Sequence, residues 1–182
     1  MFGIQGAQFR RKLVKHHKEL FYLAYSWCNN RDIAQDIAQE TMEKALKKRH
    51  QLLNTDAIKS WLASILANCW KDYLRRQKRF EDFDSLEFVD DSTPEKDMVR
   101  EQVCHKVREG IEALPAKQRM VITLVDIFEL RYAEVAEILQ IPAGTVMSRL
   151  SRARNALKGT LIDYSDTVEN PADMTDLAWR KK

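Results

Sequence analysis

The chain has 182 residues, a formal net charge of +3 and 45% hydrophobic residues, enough for one domain or two small ones with real cores. Five glycines and four prolines favour a mostly helical protein, and no apolar run approaches the roughly 20 residues of a membrane span. The opening residues, MFGIQGAQFRRKLVKHH, lack a signal peptide's order of basic, apolar and small-residue regions.

From the N-terminus, Phe9 to Trp27 carries Leu13, Leu20, Leu23, Ala24 and Trp27 at helical spacing. Asn29-Asn30-Arg31 predicts a turn, with Asp32 as N-cap of a second helix, Ile33 to His50. Ile33, Ile37, Thr41 and Ala45 form its line, and Asp36, Gln39, Glu40 and Glu43 its wetter surface. After a polar loop, Ser60 precedes a third helix running to about Arg79, with Trp61, Ile65, Asn68, Cys69, Asp72 and Arg76 as its stripe. Its second half, KDYLRRQKR, is basic with aromatics at Trp70 and Tyr73. Cations for phosphates and flat rings for unstacked bases are what single-stranded nucleic acid requires, although the same rings also suit a core.

Charge is uneven along the chain. Residues 1–80 hold 16 Lys and Arg against 7 Asp and Glu, whereas residues 81–105 hold 2 against 9. The segment EDFDSLEFVDDSTPEKDM (81–98) therefore reads as an acidic linker between two polyanion-facing modules. Beyond it, Val103, Val107, Ile111 and Leu114 predict a helix over 99–114, and Pro115 starts another running to about Phe128.

The stretch YAEVAEILQIPAGTVMSRLSRARNALK (132–158) predicts a helix-turn-helix. Val135, Ala136 and Leu139 share a face of the first helix, Gln140-Ile141-Pro142 breaks it, and the second helix restarts at Ala143-Gly144-Thr145. Val146, Leu150, Ala153 and Leu157 make the second helix's apolar stripe. Opposite them lie Gly144, Ser148, Ser151 and Asn155, flanked by Arg149, Arg152, Arg154 and Lys158. Small polar residues between arginines suit a helix lying in a major groove.

Cys28, Cys69 and Cys104 are isolated and odd in number, which argues for a reducing cytoplasm and against a disulfide scaffold. No CxxC or HxxxH pair joins them to His16, His17, His50 or His105, so no metal site is expected. No phosphate-binding glycine loop, Ser/His/Asp set or paired carboxylates stand out, so neither a catalytic site nor a cofactor is expected.

Three segments in order resemble the extracytoplasmic-function group of sigma-70-type RNA polymerase sigma factors: LFYLAYSWCNNRDIAQDIAQETMEKAL (20–46), SWLASILANCWKDYLRRQKR (60–79) and LPAKQRMVITLVDIFELRYAEVAEILQIPAGTVMSRLSRARNALK (114–158). The resemblance implies an all-α fold of two small helical domains joined by the acidic linker. These are a sigma-2-like bundle over 1–80 and a sigma-4-like helix-turn-helix domain over 99–160, with a polar tail from 161 to 182. It implies that Asp36, Gln39, Glu40 and Glu43 grip the clamp helices of core RNA polymerase. Trp61, Asn68, Lys71, Asp72, Arg75 and Arg76 would engage the melted −10 promoter element. Thr145, Met147, Ser148, Arg149, Ser151, Arg152 and Asn155 would read the duplex −35 element, with Arg154 and Lys158 on phosphates. An anti-sigma partner and contact with the polymerase flap are further expectations of the family.

Three residues depart from the family pattern. Met147 stands where relatives commonly carry Lys or Arg, Gln140 replaces the usual turn glycine, and Arg131 replaces Ser or Thr before the tyrosine. Gln140 must adopt a positive φ or use a different turn. The competing readings are a free-standing helix-turn-helix regulator and a non-DNA-binding antagonist of polymerase. A simple operator binder has no reason to arrange residues 20–79 as they stand.

Overall fold

The computed structural model describes residues 2–52, 54–80 and 106–165, with side chains for 9–77 except Leu53 and for 106–159. All regular structure among them is helical. They fall into two compact units, an N-terminal one of residues 1–90 with 137–140 and a C-terminal one of the remainder. The expected acidic linker over 81–98 and most of the tail lie outside the described residues.

The N-terminal unit is a three-helix bundle of α1 (Phe2–Cys28), α2 (Arg31–Lys47) and α3 (Ile58–Phe80), each packed on the other two. Two asparagines make the first reversal. Asn29 takes φ +48°, which asparagine tolerates, and its N–H donates to the Tyr25 carbonyl at 2.8 Å, closing α1. Asn30 is extended, and its side-chain oxygen accepts from the Ile33 N–H at 3.0 Å, opening α2. The cap is therefore Asn30 rather than Asp32, which sits inside the first turn where its charge suits the helix dipole. α2 also ends earlier than expected, at Lys47, and a 3₁₀ turn over Arg49–Gln51 follows.

The third helix begins at Ile58, not after Ser60. Asn54 caps a 3₁₀ turn over Thr55–Ala57 that feeds directly into it, and the Ser60 hydroxyl donates back to the Ala57 carbonyl. Its core face holds Ile65 and Cys69 of the expected stripe but extends to Leu62, Leu66 and Trp70 at i, i+4 and i+8 beside Ala63 and Ala67, while Asn68 is exposed and Trp61 half-buried. Leu13, Leu20, Leu23, Ala24 and Trp27 of α1 fill the core as expected. On α2, Ala34, Ala38, Thr41 and Ala45 are buried, small residues that let its neighbours approach closely. The buried Thr41 hydroxyl is satisfied by the Ile37 carbonyl at 2.7 Å.

The C-terminal unit holds α4 (106–112), α5 (Ala116–Ile122), α6 (Tyr132–Leu139) up to Ala136, and α7 (Ala143–Ser165). The α-helix expected to run from Pro115 to Phe128 instead becomes a π turn at Thr123–Ile127. Buried Thr123 donates its hydroxyl to the Arg119 carbonyl at 2.8 Å, and the Phe128 N–H reaches the Thr123 carbonyl at 2.8 Å. Such back-bonding by threonine loosens the ladder and bends a helix. The bend lets Leu124, Phe128 and Leu130 all enter the core with Val135, Val146, Leu150 and Ala153. Ile138, absent from the expected α6 face, is buried, whereas Ala136 and Leu139 are only half-buried. α7 extends to Ser165, so the boundary expected at 160 falls inside a helix.

Candidate nucleic-acid interface

The helix-turn-helix is built around Gln140. Its φ is +57°, its N–H donates to the Glu137 carbonyl, and the Ile141 N–H donates to the Ala136 carbonyl at 3.0 Å. This pair of bonds is a Schellman C-cap with glutamine in the position glycine usually fills, so the strained alternative is the one adopted. Pro142 then opens α7, its carbonyl accepting from Thr145 and Val146. Arg131 occupies the N-cap position of α6 and cannot accept there. Half of a capping box remains, because Glu134 accepts from the Arg131 N–H at 2.9 Å.

This turn buries Val146, Leu150 and Ala153 and leaves Gly144, Met147, Ser148, Ser151, Arg152, Asn155 and Lys158 exposed along α7, with Thr145 and Arg149 half-buried. The expected reading residues thus share one helix surface. Arg154, expected on a phosphate, makes a bidentate ion pair with Asp126 of the π turn, Nε to Oδ2 at 2.9 Å and Nη2 to Oδ1 at 2.5 Å. The Asp126 bonds hold the guanidinium's proton affinity above its ordinary value against the opposing effect of burial. Asp126 lies 28 residues away, and no local spacing marks it as Arg154's partner.

In the N-terminal unit, Asp36, Gln39 and Glu43 are exposed on α2, and the Gln39 amide donates to Glu43 at 3.2 Å. Glu40 differs. It receives Lys44 at 2.8 Å and Arg76 of α3 at 3.3 Å, while Lys44 also reaches Asp72 at 3.6 Å and Arg75 pairs with Asp72 at 2.8 Å. One ionic seam therefore joins a residue expected to bind polymerase to three expected at the −10 element. Burial pushes the Glu40 carboxyl up, but Lys44 and Arg76 outweigh it and hold the group below its usual value. The bond to Glu40 raises Lys44 in turn. Beneath the seam, burial pushes the Cys69 thiol up, opposed by Thr41 and Lys44, so this cysteine is a protonated core residue.

Lys44, central to this seam, has a readable signal in its i,i+4 spacing from Glu40. Of the aromatics, Trp61 is half-buried edge-on against Phe9, with ring centroids 6.2 Å apart. Trp70 stacks on Tyr73 at 5.5 Å, and Gln77 donates to the Tyr73 hydroxyl at 2.6 Å. Lys71 is half-buried and Asn68 exposed on the same helix. Among the described residues no group of three metal-ligating side chains converges, and no helix is long and apolar enough to cross a membrane.

Comparison with known proteins finds two family models on this chain. Residues 13–80 match the family model for sigma-70 region 2, and residues 104–157 match that for sigma-70 region 4. RNA polymerase sigma factor SigV of Bacillus subtilis is 34% identical over 148 residues, covering 80% of this chain and 86% of its own. The ECF RNA polymerase sigma-E factor of Escherichia coli is 32% identical over 161 residues, 82% of this chain and 84% of its own. The chain belongs to the extracytoplasmic-function sigma factors. A solved structure of the Bartonella quintana sigma factor RpoE with the anti-sigma factor NepR matches this sigma factor with a TM-score of 0.74 at 28% identity. The match covers 85% of this chain and 96% of that one. Its function is accordingly to direct RNA polymerase in transcription initiation.

Proposed function

We propose that the two units of this sigma factor divide promoter recognition between them, with core RNA polymerase engaged from α2. The observation that carries this reading is the meeting of α2's acidic surface with α3's basic end at Glu40, Lys44, Asp72 and Arg76. A wet acidic face fixes register on a basic partner helix, so Asp36, Gln39, Glu40 and Glu43 take the polymerase clamp. Trp61, Asn68, Lys71, Asp72, Arg75 and Arg76 take the opened −10 strand. A base flipped from the stack there costs a few kcal/mol, offset by its new contacts.

On α7, Thr145, Met147, Ser148, Arg149, Ser151, Arg152 and Asn155 read the −35 duplex, and Lys158 holds a phosphate. Arg154 commits two of its donors to Asp126, so it anchors α7 to the π turn and meets phosphate with those that remain. The proposed boundaries are a polymerase and −10 module within 1–80, a linker over 81–98 and a −35 module from 99 to the end of α7 at Ser165. The protein is a cytoplasmic, non-catalytic specificity subunit. A Bartonella relative bound to an anti-sigma factor supports an antagonist of that kind here as well.

Purified chain and core polymerase on a mapped promoter test the reading by runoff transcription. Transcripts should depend on both components. Duplex binding without any transcript on adding core would overturn it in favour of a free-standing regulator. Unchanged transcription by both Arg75→Ala and Arg152→Ala would favour a polymerase antagonist instead.

A further inference from the structure

We infer that Met147 is a specificity determinant that reads the C5-methyl group of a thymine in the upstream element. The inference rests on α7 being the duplex reader and adds what one position of it recognises. In a recognition helix the N-terminal residues meet the base edges. Over the first two turns of α7, Val146 and Leu150 are buried in the unit's core. Ala143 and Gly144 are exposed but have no reach, and nothing stands within 4 Å of where a Gly144 side chain would begin. The Ser148 hydroxyl is turned back onto the Thr145 carbonyl at 3.2 Å. Thr145 and Arg149 are half-buried. The long side chain left projecting is Met147, 55% exposed, one turn beyond the open space at Gly144.

A thioether has no proton to donate and accepts only weakly, so it cannot pair with guanine O6 and N7 or with adenine N6 and N7. The apolar group that the major groove offers is the thymine methyl. An unbranched, polarizable side chain settles readily against it. Contact with one methyl group is worth roughly fourfold in affinity, the factor associated with one buried CH₂. Discrimination at this position therefore comes from apolar contact, while Arg152 supplies hydrogen-bonded discrimination further along the helix.

The test uses the full chain with core polymerase and a promoter whose upstream element has been mapped. Each thymine of that element is replaced singly by deoxyuridine, which deletes the methyl and keeps every hydrogen-bonding group. One replacement should weaken promoter binding by the wild-type protein roughly fourfold. Met147→Ala should bind thymine and uracil promoters equally, and its thermal unfolding should match wild type because the residue is exposed. Met147→Lys should shift preference at that pair towards guanine. No sensitivity at any thymine, or equal sensitivity in Met147→Ala, would overturn the inference. Loss of binding on scrambling the element or on Arg152→Ala reports separately on α7 as the reader, so failure of that premise is distinguishable.

Discussion

In the N-terminal unit two of the cations expected at nucleic acid are already bonded to acids, Arg76 to Glu40 and Arg75 to Asp72, with Lys44 between the two carboxylates. In the C-terminal unit Arg154 alone of α7's cations is tied, to Asp126, while Arg149, Arg152 and Lys158 make no ion pair with any described residue. The difference suits two targets. A duplex backbone is bound chiefly by net positive charge through counterion release, so unpaired cations on α7 would serve the proposed −35 contact directly. A single strand with exposed bases is held by position and stacking as well as charge. Cations on α3 held by acids, Arg76 by Glu40 of α2 and Arg75 by Asp72 of α3 itself, would give the proposed −10 contact a defined geometry and a weaker net field.

The largest effect that would break the comparison is loss of one unit's core without the other. Leu62→Ala removes a fully buried side chain from α3. It should destabilise the N-terminal unit by about 2–5 kcal/mol while leaving the unfolding of the C-terminal unit unmoved. Calorimetry of the intact chain checks this, and equal loss in both transitions would mean that the units do not unfold independently.

Salt dependence sharpens the functional half of the contrast. Arg152→Ala should reduce the slope of log binding constant against log salt by about one for upstream duplex, since an unpaired cation is lost. Arg76→Ala should reduce the slope on single-stranded −10 DNA by less, because Glu40 already balances that charge.

Two backbone predictions follow from the departures in the helix-turn-helix. Gln140→Gly relieves a left-handed conformation and should stabilise the C-terminal unit by about 1 kcal/mol, read as a raised unfolding midpoint. Arg131→Ser completes the half capping box with Glu134 and should add about 0.5–1 kcal/mol.

The smallest effect concerns the seam. Glu40 is depressed in the folded state, so its contribution is present above the unfolded value of 4.5 and is lost as pH falls through the lower folded value. The pair is partly exposed, so Glu40→Gln should cost only a few tenths of a kcal/mol at neutral pH. The difference from wild type should vanish in acid, and a difference that persists below the carboxylate range would contradict the ionic account.

Much of the fold was legible because apolar spacing and caps act locally. The α1 core and the Val146, Leu150 and Ala153 stripe follow from helical period alone, and the order of three motifs carried the family. What was illegible depends on tertiary competition. Asn30 won the cap from Asp32 because the reversal at Asn29 fixed where α2 could start. The π turn at Thr123 needs the core to draw in both Leu124 and Phe128. The face of α3 was only partly legible: Ile65 and Cys69 are core as the spacing suggested, but Trp61, which looks like core, is half-buried while Leu62 and Leu66 are fully buried. Within the interface, the reading surface of α7 was visible in the pattern of small polar residues. The partners of Arg76 and Arg154 were not, because Glu40 and Asp126 lie 36 and 28 residues away.

Promoter opening and upstream recognition are proposed to belong to different units of one sigma factor. The most direct measurement follows both on one promoter with reconstituted polymerase, permanganate reactivity of thymines at the −10 element and footprint protection at the −35 element. Arg75→Ala should abolish permanganate reactivity while keeping upstream protection, and Arg152→Ala should abolish upstream protection. Loss of both signals together in each variant would contradict the division.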